Sequence, residues 1–189
     1  MVEENQKKME FKKEEIEGII SIYPKLFGDE RGYFLESYNQ KRYSELIGTN
    51  LLFVQDNVSK STKGVLRGLH FQLPPYDQGK LVFVMQGKAL DVAVDIRKSS
   101  PTYGKHVKVL LNSNTKNQLW IPPGFAHGFC ALEDETVFCY KCTNFYSPEH
   151  EQALLWNDPG LCIDWEIQNP TISEKDKLAM KFNSFLSPF

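Results

Sequence analysis

From Leu51 to Trp156 the sequence is a succession of short segments, each closed by turn-forming residues. Ala89–Ile96 sets Leu90, Val92, Val94 and Ile96 against Asp91, Ala93 and Asp95, and Ser99-Ser100-Pro101 ends it. His106–Leu111 runs into Asn112-Ser113-Asn114, and Gln118–Ile121 into Pro122-Pro123-Gly124. Gly128–Leu132, Thr136–Thr143 and Ala153–Trp156 are parted by Glu133-Asp134-Glu135 and Ser147-Pro148-Glu149. Alternation with a period of two places successive side chains on opposite faces of a strand. Many short strands with regular turn signals and almost no helix predict an all-β sandwich or barrel with a few short helices.

The flanking segments add little helix. Ile19–Tyr23 before Pro24 reads as a short strand, and Tyr33–Tyr38, after the Gly28-Asp29 and Arg31-Gly32 turns, as another. Asn39 is suited to cap a helix over 40–47, closed by Gly48. Leu51–Ser59 alternates, with Leu52 and Val54 opposite Phe53, Gln55 and Asn57; the polar pair suits either an exposed face or a polar cavity. After Pro170, Ser173-x-x-Asp176 has the form of a capping box and opens a helical stretch within 171–182. Residues 1–17 are highly charged and read as a loosely attached, solvated extension. Residues 18–189 carry no linker or long repeat and are expected to form one domain.

With 189 residues, 41% of them hydrophobic and 13% aromatic, the chain can bury a full core. A formal net charge of −2 lacks the basic excess of a nucleic-acid binder. No apolar run approaches a membrane span, and the N-terminus lacks the apolar centre of a secretory signal. Cys139-x-x-Cys142 has the spacing of some zinc and dithiol sites, but in a strand the two point to opposite faces and no second such pair exists. The four cysteines are therefore read as reduced packing residues of a cytoplasmic protein.

The stretch GVLRGLHFQLPPYDQGKLVFVMQG, Gly64 to Gly87, brings His70, Gln72 and Lys80 into one apolar frame. Its spacing resembles the first metal-binding motif of cupin barrels, with Gln72 where a second His usually stands and Lys80 where a Glu does. Pro122-x-Gly124-x-x-His127 resembles the second cupin motif. The two in order imply a cupin-type jelly roll. Of four ligand positions only His70 and His127 remain, and the Lys80 ammonium repels a cation rather than ligating it. No metal is expected; the pocket is suited to something negative.

RGLHFQ, QGKLVFVMQGKALDVAVDIRKSSPTYG, QLWIPPGFAHGF, YKCTNFYSPEHE and LLWNDPGLCIDW strongly resemble the dTDP-4-dehydrorhamnose 3,5-epimerase family, with FGDERGYFLES, VQDNVS and SEKD matching at either end. The resemblance spans roughly residues 18–182. It implies cofactor-free epimerisation of dTDP-4-dehydro-6-deoxy-D-glucose at C3 and C5, giving dTDP-4-dehydro-L-rhamnose for deoxysugar synthesis. A ketone at C4 acidifies the hydrogens at C3 and C5, so the chemistry needs a base, an acid on the opposite face, and a cation near the C4 oxygen. By matched position, His70 is the base and Asp176 its partner, Lys80 the enolate stabiliser and Tyr140 the acid. Read from local pattern alone, Asp176 is a helix-capping side chain. Arg67 is implied as a diphosphate or sugar contact. Strict alternation aims it away from His70, so a bulge at Gly68 is expected. Arg31 and Glu36 match nucleotide contacts, in this family often from the neighbouring subunit, which implies a homodimer. Gln55, Asn57, His127, Glu151 and Lys175 match further substrate contacts, and Phe27 and Tyr146 aromatic surfaces for the thymine.

A mono-epimerase acting at C3 or C5 would share all these residues. A metal-dependent cupin oxygenase is disfavoured by Gln72 and Lys80, and a non-catalytic nucleotide-sugar binder would not need His70 and Tyr140.

Overall fold

The computed structural model describes residues 9–48 and 50–189. Two antiparallel sheets face each other. One has six strands, ordered β1 (Glu10–Lys13), β2 (Ile20–Tyr23), β10 (Gln118–Ile121), β7 (Lys80–Gln86), β12 (Thr136–Cys142) and β5 (Gln55–Ser61). The other has five, ordered β13 (Glu151–Ala153), β6 (Leu66–Gln72), β11 (Phe125–Ala131), β8 (Lys88–Asp95) and β9 (His106–Asn112). From β5 to β8 the chain changes sheet at every strand, and again from β9 to β13, giving a jelly-roll sandwich. A separate hairpin pairs β3 (Phe27–Asp29) with β4 (Gly32–Phe34), and two short helices, α1 (Gln40–Ile47) and α2 (Glu174–Lys177), complete the fold.

Strand alternation distributes the apolar residues over three layers. Val82, Val84, Leu119, Ile121 and Phe138 from the large sheet meet Ala93, Val107, Leu111, Phe125 and Phe129 from the small one. The opposite face of the small sheet, with Phe71, Val92, Val94 and Ala126, is covered by Leu154, Leu161, Trp165 and Phe185 of the C-terminal segment. On the outer face of the large sheet, Ile20, Ile22, Leu81 and Trp120 lie beneath Tyr43 of α1 and Leu51. β8 is therefore buried on both faces beyond Lys88, and its acidic residues Asp91 and Asp95 are wholly enclosed.

The expected caps of α1 are present: the Asn39 side chain accepts from Arg42 N–H, and Gly48 closes the helix in the left-handed conformation. Four expectations are corrected. Residues 1–8 of the expected loose extension lie outside the described residues, but Glu10–Lys13 pairs with β2 as an edge strand and Ile16 enters the core. Its charged residues suit an edge strand exposed on both faces. Tyr33–Tyr38 does not continue as a strand, because the Ser37 carbonyl accepts from the Tyr43 hydroxyl and the Gln118 amide instead of a ladder partner. Leu51 to Phe53 stays outside the strand: Leu51 packs under α1 and Phe53 lies edge-on to Tyr38 and Trp120, so the ladder begins at Gln55. The helix expected within 171–182 is the single turn α2, since Met180 is drawn into a bridge with Leu154.

The bulge expected at Gly68 exists. His127 stands opposite His70 and Phe129 opposite Arg67, so two residues of β6 face one of β11. Gly68 has φ +120°, and a Cβ there would lie 2.5 Å from the Gly128 Cα, so only glycine fits. The extra residue re-aims the strand, and Arg67 and His70 line the same cavity.

Candidate active site

At one end of the sandwich a cavity of about 570 Å³ opens between the sheets. His70 enters it from β6 and His127 from β11. Because these two residues are registered directly opposite each other, their imidazoles are cross-strand neighbours. Lys80 on β7 and Tyr140 on β12 line it from the other sheet. α2 closes one side with Lys175 and Asp176.

Each of these histidines is held by its own carboxylate. His70 Nε2 lies 2.6 Å from Asp176 Oδ1, with the His70 side chain 32% exposed and that of Asp176 3%. In the neutral imidazole Nε2–H donates to the carboxylate, and Nδ1 carries the lone pair that can take a proton. Burial would raise the Asp176 carboxyl pKa. The bonds from His70, the Gly68 N–H and Ser173 outweigh that and hold it below the ordinary carboxylate range. Asp176 is not itself a capping side chain: the Ser173 hydroxyl caps the turn by accepting from the Asp176 N–H, while the Asp176 carboxylate reaches His70.

The second pair joins His127 Nε2 to Asp91 Oδ2 at 2.9 Å, with Asp91 fully buried. Asp91 Oδ1 is buried without a hydrogen-bond partner among the described residues. Sequence reasoning placed Asp91 on the polar side of its strand but assigned it no role. The available signal was an acid inside an otherwise apolar buried strand, which demands a partner.

Lys80 is buried and sits directly opposite Cys142 in the ladder. Burial pushes its ammonium pKa below the ordinary lysine value, while Cys142, Asp91 and Glu151 pull the other way. Val82 and Val84 continue its strand face into the apolar core, so Lys80 lies where the apolar core meets the cavity wall. Burial raises the Tyr140 phenol above its usual value, Cys142 adds to this, and Arg67 opposes it. The phenol is thus the stable form at neutral pH.

Gln55 and Asn57 line the cavity and do not form an outer face, with the Gln55 amide donating to Asn57 Oδ1 at 3.0 Å. Tyr146, Glu151 and Lys175 form a cluster at its edge: the Tyr146 hydroxyl and the Lys175 ammonium both donate to Glu151 Oε2. Burial would raise the Glu151 carboxyl, but these two bonds hold it below its ordinary value. Phe27, Arg31 and Glu36 are not brought to the cavity by their own chain. Phe27 and Arg31 lie on the exposed β3–β4 hairpin, Arg31 pairs with Asp29, and Glu36 with Arg42. Among the described residues no group of three or more His, Cys, Asp or Glu could hold a metal ion. The four cysteines are free, and Cys139 and Cys142 form no pair.

The family model described as dTDP-4-dehydrorhamnose 3,5-epimerase matches residues 13–184. The dTDP-4-dehydrorhamnose 3,5-epimerase of Shigella flexneri is 59% identical over 170 residues, covering 90% of this chain and 94% of that protein. The corresponding protein of Salmonella typhimurium is 55% identical over 165 residues, covering 87% and 90%. Among solved structures, the dTDP-6-deoxy-D-glucose-3,5-epimerase of Legionella pneumophila, in complex with dTDP-4-keto-L-rhamnose, superposes with a TM-score of 0.91 at 49% identity, covering 94% of each chain.

The lowered Asp176 carboxyl has a definite pH signature. A group whose pKa falls on folding stabilises fully above its unfolded value, about 3.9, and loses that contribution as pH falls through the folded value. At pH 7 the Asp176→Asn variant should be about 1.5–3 kcal/mol less stable than the parent, the usual range for a hydrogen bond to a charged group. In urea unfolding the gap should close as the pH is taken below the carboxylate range. A gap that stays constant with pH would show that the charge on Asp176 does not stabilise the fold.

Proposed function

This chain belongs to the dTDP-4-dehydrorhamnose 3,5-epimerase family, and we propose that it converts dTDP-4-dehydro-6-deoxy-D-glucose to dTDP-4-dehydro-L-rhamnose by exchanging protons at C3 and C5. The observation that carries this reading is the division of groups between two walls. A carboxylate-held imidazole, His70, rises from one sheet; a phenol and a buried ammonium, Tyr140 and Lys80, rise from the other.

His70 Nδ1 takes the proton from the carbon next to the ketone, and Asp176 holds the ring and balances the imidazolium that forms. The electron pair moves onto the C4 oxygen. Lys80 faces that oxygen, and a cation aimed at developing charge in a weakly hydrated site contributes several kcal/mol. Tyr140 then gives its proton to the opposite face of the same carbon, which inverts it. The phenolate regains a proton and the imidazolium loses one before the second carbon reacts. Only protons move, so no cofactor is called for. The Asp91–His127 pair presents a second imidazole beside His70 for contact with the substrate.

Arg67 is suited to the diphosphate, Tyr146 to the thymine face, and Gln55, Asn57, Glu151 and Lys175 to the sugar and nucleoside. Phe27, Arg31 and Glu36 are assigned to the cavity of a second copy in a homodimer, since their own chain leaves them outside the cavity. We place residues 10–189, edge strand β1 included, in one functional domain and the protein in the cytoplasm. Its free cysteines suit a reducing compartment, and no helix among the described residues is long and apolar enough to cross a membrane.

The His70→Asn variant should lose about 10²–10⁴-fold in wash-out of substrate hydrogens at both carbons, the usual weight of a general base. Tyr140→Phe should still exchange hydrogen but invert poorly, as nuclear magnetic resonance of the sugar would read. Retained wash-out in the first variant removes His70 as base; normal inversion in the second removes Tyr140 as acid.

A subunit-shared site gives an independent expectation. Arg31→Ala and His70→Asn preparations, each feeble alone, should regain activity when unfolded and refolded together, because a mixed dimer holds one site with both native residues. Mixtures no more active than their components would place Arg31 outside the site.

A further inference from the structure

Gln72 ends β6 two residues after His70, is 4% exposed, and has no part in the chemistry above. Its side chain nonetheless makes three hydrogen bonds. Nε2 donates to the Tyr76 carbonyl at 2.8 Å and to the Phe145 carbonyl at 3.0 Å, and Oε1 accepts from the Ser147 N–H at 2.6 Å. These partners lie on two loops far apart in sequence, residues 73–79 between β6 and β7, and residues 143–147 after β12. One buried amide therefore joins both loops where they border the cavity.

The second loop carries Tyr146, whose N–H donates to Gln55 Oε1 and whose hydroxyl donates to Glu151. Glu151 is also the residue that pairs with Gln72 in the β13–β6 ladder. Tyr146 is half exposed, and its loop neighbours Phe145 and Ser147 are the ones bonded to Gln72. The geometry demands two donors facing carbonyls and one acceptor facing an N–H. An amide supplies all three. An imidazole at this position supplies one donor and one acceptor, and a carboxylate would set its oxygens against two carbonyls.

We propose that Gln72 is a positioning residue for nucleotide recognition: by tying the 143–147 loop to the 73–79 loop, it holds Tyr146 and Glu151 in the arrangement that receives the nucleoside end of the substrate. This rests on the nucleotide-sugar reading above. The position that in a metal-binding barrel would carry a ligand is here turned to the backbone of the cavity rim, so its Gln is a working part of the site.

The test is a graded series, Gln72→His and Gln72→Met, measured on the full chain by calorimetric titration with dTDP and by steady-state kinetics with the nucleotide sugar. Gln72→Met, which keeps the length and loses all three bonds, should weaken dTDP binding and raise KM by about tenfold or more, with kcat little changed. Gln72→His should fall between it and the parent, which keeps the inference testable if the Met variant fails to fold. In a Tyr146→Ala background the Met substitution should add little, because both act through the same loop. Unchanged dTDP affinity in well-folded variants, a loss confined to kcat, or full additivity with Tyr146→Ala would overturn the inference. A parent protein that bound no dTDP would instead bring down the nucleotide-sugar reading on which it rests.

Discussion

The site depends on one hydrogen bond between residues 106 positions apart, His70 Nε2 to Asp176 Oδ1. His70 belongs to the sandwich; Asp176 belongs to one turn of helix that could not stand alone. What fixes that turn is around it. Ser173 caps it, the C-terminal segment before and after it is buried against the outer face of the small sheet, and Lys175 reaches across to Glu151 on β13. The covering of an apolar sheet face therefore also delivers the carboxylate to the imidazole.

The same economy applies to charge. Asp91, Lys80 and Asp176 are all buried, and buried charges are costly unless balanced. Each carboxylate is balanced by a histidine at the cavity wall. Lys80 is in the opposite condition: its pKa is pulled down by burial, and it lies near acids without a hydrogen bond to any of them among the described residues. A buried ammonium at a cavity wall favours a ligand on which negative charge develops. Gln72 and Lys80, the departures from a metal-ligating pattern, thus occupy separate places: the Gln72 amide bonds to two rim loops, and Lys80 lines the cavity.

Much of this was legible in the sequence where the cause is local. Asn39 and Gly48 bounded α1 because caps are set within a turn of the helix. Gln118–Ile121 and Thr136 to Cys142 were readable as strands because alternation and turn residues agreed. Gly68 betrayed its bulge through the conflict between Arg67 and His70. What was not legible depends on distant partners. Tyr33–Tyr38 alternates like a strand, yet the Ser37 carbonyl is taken by Tyr43 and Gln118. Asp91 lacked a role because its partner lies on a neighbouring strand 36 positions away. Glu10–Lys13 looked like solvated chain because an edge strand exposed on both faces carries no apolar pattern. The family resemblance supplied roles for His70, Lys80, Tyr140 and Asp176. The structure places all four around one cavity and leaves Phe27, Arg31 and Glu36 outside it.

The central claim is that the cavity moves protons at two carbons of one sugar. It is tested most directly by incubating the chelator-treated parent protein with dTDP-4-dehydro-6-deoxy-D-glucose in deuterium oxide, then reading the sugar by mass and nuclear magnetic resonance. The account predicts solvent deuterium at both C3 and C5, with the rhamno configuration appearing. Label at one carbon only would contradict double epimerisation, and no label from folded protein would contradict the proton-transfer site itself.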